Sequence, residues 1–141
     1  MKSTSMVKPV KLGSNTRMTF SKINEVETVY VFGRKPEKLK ELESKFGIHP
    51  VTSMNEIIEN DEIDLVDICL PVPLHCEYAI QALEHNKHVL CETPVTYSVS
   101  DAIAMQTAQQ KSGKLLMVDL FMRFEHAYQV LADIVKSGKY G

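Results

Sequence analysis

Two stretches of the 141-residue chain place residues with chemical potential directly after apolar runs. The stretch HVLCETPVT carries Glu92, Thr93 and Pro94 after such a run, and His75 follows Pro71 at the end of DLVDICLPVPLH. A carboxylate or an imidazole can accept hydrogen bonds and move protons, whereas a threonine hydroxyl cannot act as a general acid or base near neutral pH. These residue types favour ligand binding or proton transfer.

The elements that must position these side chains alternate in type along the chain. Strands separated by helices imply parallel pairing through right-handed crossovers, which predicts an α/β fold with a doubly wound, mostly parallel sheet. Ligands bind such sheets at the carboxyl ends of the strands, where Gly33, Pro71 and Glu92 stand. Alternatively, prolines there only end the pairing and polar residues are solvated. Predicted strands lie at 27–33, around 51, and at 64–70, 88–91 and 115–120, and predicted helices lie at 36–46, 53–60, 74–86, 98–113 and 124–136.

Capping patterns predict where two of the helices begin. Ser53 and Glu56 have the spacing of a capping box, and Ser98 and Asp101 repeat that spacing before a later helix. Gly113 is expected to end that later helix, because glycine readily adopts the left-handed conformation found after helix ends.

Composition excludes several classes of function. The chain is 44% hydrophobic and 24% charged, as in a soluble globular protein, and no apolar run approaches the roughly 20 residues that cross a bilayer. With a net charge of -2 and scattered basic residues, no nucleic-acid partner is predicted. The start lacks the apolar segment of a secretory signal, so a cytoplasmic location is expected.

The three cysteines lie within apolar stretches and are expected to be reduced core residues. A metal site could be imagined from Cys69, His75, Cys76 and His88, but the spacings typical of zinc ligands are missing. No metal is therefore predicted.

Three longer runs of the sequence carry a family resemblance. The runs DEIDLVDICLPVPLHCEYAIQALEHNKHVLCETPVT, KSGKLLMVDLFMRFEHAY and KSGKYG resemble the nucleotide-binding domain of the Gfo/Idh/MocA oxidoreductases over about residues 27–141. The resemblance implies a Rossmann-like NAD(P)-binding domain over 1–141, with the second, substrate-binding domain absent. It also implies an oxidoreductase that acts on a sugar, a polyol or a related hydroxy compound.

The same resemblance suggests the site residues. In the family's E-K-P block, the glutamate and proline shape a turn beside the nicotinamide, and the lysine assists proton transfer. Here Glu92 and Pro94 are kept while Thr93 replaces the lysine, so Glu92 and Thr93 are the catalytic candidates and the usual proton transfer is in doubt. His75 matches a family histidine but can equally be a helix-start residue that bonds locally. The candidate cofactor-binding residues are Gly13, Ser14, Asn15, Gly33, Arg34, Leu70, Pro71, His75, Glu92, Pro94 and Arg123.

The end of the second family strand bears on the choice of dinucleotide. An acidic residue at this position would accept hydrogen bonds from the 2'-hydroxyl of NAD, but here it is Gly33, followed by Arg34 and Lys35. A guanidinium suits a phosphate, so NADP is preferred over NAD if either binds. The alternative is a solvated basic turn.

The beginning of the chain departs from the family. Around residues 7–24 no G-x-G-x-x-G loop is present, so the first strand, expected in KPVKLG, and the phosphate loop are degenerate or shortened. The turn from Ser14 to Arg17 could supply replacement donors. Turnover by this polypeptide alone is not expected.

Three functions remain open at this stage. The chain is the cofactor domain of an oxidoreductase that binds a dinucleotide and, in a full-length context, a small-molecule substrate. Alternatively, it is a non-catalytic remnant that binds a dinucleotide or a protein partner. A third alternative is an α/β remnant without a ligand, in which an exposed edge drives homo-oligomer formation.

Overall fold

The fold is built around one sheet of six parallel strands. The computed structural model describes residues 4–7, 24 and 26–139. The strands are β1 (Thr4–Val7), β2 (Val29–Phe32), β3 (His49–Val51), β4 (Leu65–Ile68), β5 (His88–Cys91) and β6 (Leu116–Val118). Their order across the sheet is β3-β2-β1-β4-β5-β6, and every neighbouring pair is parallel. This is the order of a doubly wound dinucleotide-binding sheet, in which the direction reverses beside β1, so the predicted fold class is confirmed.

Helices connect these strands where the sequence predicted them. The α-helices are α1 (Pro36–Phe46), α2 (Asn55–Ile58), α3 (His75–Glu84), α4 (Val99–Ser112) and α5 (His126–Lys136), with short 3-10 helices at Val72–Leu74 and Phe121–Phe124. The opening strand expected in KPVKLG falls on residues outside the described ranges, whereas the strand that takes the central position is Thr4–Val7.

The predicted capping contacts explain the helix ends. Ser98 Oγ accepts a hydrogen bond from the Asp101 backbone N–H at 3.4 Å, and α4 ends at Gly113 with φ 66°. Glu56 Oε1 accepts from the Ser53 backbone N–H at 2.8 Å, although α2 begins only after Met54. Local side-chain chemistry therefore sets these boundaries to within a residue or two.

Two clusters of buried apolar side chains hold the layers together. The smaller cluster packs α1 against β2 through Leu39, Leu42, Val29 and Val31. The larger cluster packs α3 and α4 against β4 and β5, the strands that lead into the turns at the carboxyl edge of the sheet. Its members include Val66, Ile68, Ala79, Ala82, Leu83, Val89, Cys91, Met105 and Ala108.

A buried lysine lies at the edge of the sheet where the parallel strands begin. Lys87, just before β5, is only 2% exposed, and its Nζ donates to the carbonyl oxygens of Asn60 at 2.7 Å and Ile63 at 3.1 Å. Burial lowers the pKa of this amine. Lys87 lies at the amino end of β5, so its hydrogen bonds stabilise that end of the sheet and not the carboxyl ends of the strands. Within the described residues, no helix has the length and apolarity needed to cross a bilayer.

Candidate functional site

The polar residues singled out by the sequence collect at one edge of the sheet. Because all six strands are parallel, their carboxyl ends lie along the same edge. Gly33 follows β2, Leu70 follows β4 and Glu92 follows β5. At a strand spacing of about 4.8 Å, the ends of β2 and β5 are roughly 14 Å apart, with β1 and β4 between them. The expected crevice outside the carboxyl ends therefore has the predicted residues on both sides.

Backbone hydrogen bonds tie three of these strand ends together. The Glu92 N–H donates to the Ile68 carbonyl at 3.0 Å, and the Asp119 N–H donates to the Cys91 carbonyl at 2.8 Å. The turns after β4, β5 and β6 thus start from one hydrogen-bonded ladder. Asp119 at this edge was not among the predicted site residues, since the sequence pattern there matched no expected motif.

The turn after β5 is closed on itself. Glu92 Oε2 accepts from the Thr93 backbone N–H at 2.8 Å and lies 3.5 Å from Thr93 Oγ1. The Thr93–Pro94 peptide bond is cis, and both residues are exposed. One oxygen of the Glu92 carboxylate is therefore bonded to its own neighbour, and the exposed residue that follows, Thr93, carries a hydroxyl rather than a charge.

His75 links two turns from inside the molecule. This residue begins α3 and is only 1% exposed. Its Nε2 is 2.7 Å from the carbonyl oxygen of Leu70, and its Nδ1 is 3.2 Å from that of Val95. Both ring nitrogens thus face backbone carbonyl oxygens, one nearby in the chain and one distant, and a neutral ring donates to one of them. The carbonyl of Val95 is a partner that no side-chain pattern in the sequence indicates.

Gly33 is enclosed by helix α1. A Cβ atom at this position would lie 2.9 Å from Leu39 Cδ2 and 3.2 Å from Leu39 Cγ. Leu39 is itself only 3% exposed and cannot easily move aside. An acidic side chain at position 33 would therefore require the Leu39 side chain to shift.

The next residue, Arg34, extends into solvent. It is exposed, and within the part of the chain that the structure describes it forms no side-chain hydrogen bond or ion pair. Pro71 is also exposed, at the start of the 3-10 turn after β4. A guanidinium held at the end of β2 without an internal partner can bind an anion that reaches this edge.

The cysteines are buried or half-buried, and two of them have raised thiol pKa values that disfavour nucleophilic chemistry. Burial raises the pKa of the Cys91 thiol to about 12, and the nearby carboxylates of Asp67 and Glu92 add to the shift. Cys76 is half-buried, and burial together with Asp101 raises its pKa as well. Among the described ranges, no group of three or more His, Cys, Asp or Glu side chains is arranged to hold a metal ion.

Arg123 lies in a different environment from the other candidates. It is exposed on the 3-10 helix after β6 and lines a cavity of about 440 Å³ against α5. The residues lining this cavity are Met122, Arg123, Tyr128, Gln129, Ala132, Asp133 and Lys136, none of which follows β2, β4 or β5. Gly13, Ser14 and Asn15 lie outside the described residues.

Comparison with known proteins places this geometry in context. A family model described as "Oxidoreductase family, NAD-binding Rossmann fold" matches residues 11–120. The chain is 33% identical to a 4-carboxy-2-hydroxymuconate-6-semialdehyde dehydrogenase from a Sphingobium species, over 83% of this chain and 38% of that protein. It is 29% identical to a dTDP-3,4-didehydro-2,6-dideoxy-alpha-D-glucose 3-reductase from Saccharopolyspora spinosa, over 96% of this chain and 44% of that protein.

A solved structure gives the same fold. A 3-ketoreductase from Actinomadura kijaniata, in complex with TDP-benzene and NADP, superimposes with a TM-score of 0.84 at 24% identity, over 97% of this chain and 44% of that one. The chain thus spans less than half the length of the relatives it matches.

Proposed function

The chain belongs to the Gfo/Idh/MocA family of oxidoreductases and corresponds to its NAD(P)-binding Rossmann part, and we propose that it binds NADP in preference to NAD. One observation carries the preference: the end of β2 has a glycine, closely packed against Leu39, in place of an acidic residue and presents Arg34 beside it. A carboxylate there would accept hydrogen bonds from a 2'-hydroxyl, whereas a guanidinium suits a 2'-phosphate.

The residues at the carboxyl edge fit a dinucleotide in kind. Arg34 would hold the 2'-phosphate, and the turns at Leu70 and Glu92 would line the side of the crevice toward the nicotinamide. When bound, the cofactor supplies or accepts a hydride at its nicotinamide ring. The chain's own residues would bind and orient the cofactor. Proton transfer is not assigned to this turn, because Thr93 offers only a hydroxyl and Oε2 of Glu92 accepts a hydrogen bond from Thr93.

In a longer protein, we infer a dehydrogenase or reductase that acts on a sugar, a polyol or a related hydroxy compound. The chemistry named for the similar 3-reductase supports this substrate class. Since Thr93 carries no charge, the proton that accompanies hydride transfer would come from a residue other than Thr93. Residues 1–141 would then act as one dinucleotide-binding domain in such a protein.

The binding proposal is tested by titrating the purified chain with NADPH and, separately, with NADH while following nicotinamide fluorescence at low salt. Arg34→Gln should weaken NADPH binding roughly tenfold or more, because a charge-assisted hydrogen bond is lost, and should change NADH binding little. Lys40→Gln is the matched control, since it removes one positive charge from the exposed face of α1.

Two outcomes would contradict the proposal. Equal affinities of the wild type for the two dinucleotides would remove the NADP preference. Equal losses of NADPH affinity in Arg34→Gln and Lys40→Gln would show that net charge, rather than Arg34, attracts the cofactor.

A second candidate function is a non-catalytic domain that binds a dinucleotide or a protein partner. The observation that favours it is the Glu92–Thr93 turn, in which Thr93 is neither an acid nor a base and Oε2 of Glu92 is bonded within the turn. Clear loss of reduced-nicotinamide absorbance in a mixture of the chain, NADPH and keto-sugars would exclude it. Thr93→Lys, which restores the family's residue, should increase any turnover that the wild type shows.

We further propose a cytoplasmic location and self-association of the chain. Three free thiols, at Cys69, Cys76 and Cys91, suit a reducing compartment. The apolar face of α5 is exposed and could cover itself against a second copy. Sedimentation should show concentration-dependent association that Leu131→Glu reduces, and a monomer at every concentration would contradict it.

A further inference from the structure

We propose that His75 is a positioning residue whose ring fixes the turn after β5 against the turn after β4. The proposal rests on the proposed function, because these two turns line the nicotinamide side of the crevice. In this role His75 does not touch the cofactor, and instead holds the turn carrying Glu92 and Thr93 at the distance that a bound dinucleotide requires.

The contacts of the ring support this role. Nε2 lies 2.7 Å from the carbonyl oxygen of Leu70, five residues earlier in the chain, and Nδ1 lies 3.2 Å from that of Val95, twenty residues later. Leu70 follows β4 directly, and Val95 follows the Thr93–Pro94 bond. One side chain therefore bridges two loops that belong to neighbouring strands.

The position of the ring is fixed by the packing of α3. His75 is 1% exposed at the start of α3, and the same helix buries Ala79, Ala82 and Leu83 completely. Since this helix packs on the larger core cluster, the ring cannot follow the loop if the loop moves. Movement of Val95 must stretch or break its contact with Nδ1.

The two contacts can be separated chemically. A carbonyl oxygen only accepts hydrogen bonds and a neutral imidazole carries one N–H, so the neutral ring donates to Leu70 or to Val95, and both contacts are hydrogen bonds only when both ring nitrogens carry a proton. An asparagine amide can place its nitrogen near the position of Nδ1, and a glutamine amide can place it near that of Nε2. His75→Asn thus keeps a donor toward Val95, whereas His75→Gln keeps a donor toward Leu70 only.

The test measures amide hydrogen exchange at residues 92–98 together with NADPH affinity and the urea midpoint. For His75→Gln, exchange should be roughly fivefold faster than in the wild type and NADPH affinity roughly fivefold weaker, as expected for one lost hydrogen bond. His75→Asn should restore most of both. The control is His85→Gln, which makes the same substitution at an exposed histidine after α3 and should change neither.

Exchange at 92–98 that stays within twofold of the wild type in both His75 variants would overturn the proposal. So would an equal acceleration across the whole molecule, because it would report general destabilisation. If the variants do not fold, proton NMR of the wild type decides: two slowly exchanging His75 ring N–H protons support the bridge, and one or none refutes it. If the wild type binds no dinucleotide but exchange still separates the variants, the proposed function fails while the bridge stands.

Discussion

Two amphipathic helices of almost equal length, α3 with 10 residues and α5 with 11, lie in opposite environments. In α3, His75, Ala79, Ala82 and Leu83 are all buried. No residue of α5 is buried, and its apolar side chains stay exposed, as with 54% for Leu131. An apolar stripe thus indicates which face of a helix needs cover, but not what covers it.

The difference continues in the strands next to the two helices. Val89 and Cys91 of β5 lie under α3 and α4 and are almost completely buried. At β6, the edge strand, Met117 is 55% exposed, and Leu115 just before it is 59% exposed. The region from β6 to α5 therefore presents an extended apolar surface, of the kind that marks protein contacts.

The sharpest test of this comparison pairs Leu83→Ala with Leu131→Ala. Leu83 is 0% exposed, so its truncation leaves a cavity and should lower the free energy of unfolding by about 2–5 kcal/mol. At concentrations at which the chain is a monomer, Leu131→Ala should change it by less than about 0.5 kcal/mol, because more than half of the side chain is already in water. Urea unfolding measures both, and comparable losses would mean that α5 is covered in solution.

A second test uses the thiol of β5 as a reporter of burial. The pKa of Cys91 is raised to about 12, so the folded chain holds the thiol proton more tightly than the unfolded chain does. This contribution to stability is complete below the unfolded thiol pKa and is lost as pH rises toward 12. Between about pH 8 and about pH 11, the wild type should lose on the order of 2 kcal/mol relative to Cys91→Ala.

The control for that titration is Leu131→Ala, which changes no titratable group and should follow the wild-type pH dependence. Parallel pH profiles for the wild type and Cys91→Ala would show that the thiol ionises as readily in the folded chain as in the unfolded one. Solvent would then reach Cys91 in the folded chain, and α3 and α4 would not fully cover β5.

The smallest effect is expected on α1, which has both a buried and an exposed face. Hydrogen bonds from Lys38 and then Lys45 lower the pKa of exposed Glu41 to about 2. The contribution of the ionised Glu41 carboxylate to the free energy of unfolding is therefore present above the ordinary pKa of 4.5 and is lost as pH falls through about 2. Glu41→Gln should barely move the unfolding midpoint near neutral pH, because solvent and salt screen such pairs.

For Glu41→Gln, the matched variant is Glu43→Gln, an exposed neighbour for which no ion pair is found among the described residues. The two midpoints should agree in high salt. A large loss for Glu41→Gln alone, persisting in salt, would show that exposed ion pairs contribute to this helix as much as burial does.

Much of the local structure could be read from the sequence because short-range chemistry controls it. The spacing of Ser98 and Asp101 indicated the start of α4, and Gly113 indicated its end. The alternation of strands and helices predicted a parallel sheet, and the sheet's carboxyl edge in turn located Gly33 and Glu92. Strand β1, at Thr4–Val7, was placed less well, since its residues TSMV include two small polar ones and form no continuous apolar run, unlike the equally short β2 and β5.

The sequence by itself therefore determined the order of the elements, the fold class and the strand ends at which polar residues collect. Only the tertiary structure decided how those residues are used: that His75 reaches the backbone of Val95, that Leu39 closes the space beside Gly33, and that α5 remains uncovered. The physical reason is that propensity, capping and periodicity act between residues close in the chain. Packing against a helix and bonding to a distant carbonyl depend on a geometry that exists only after the sheet has formed.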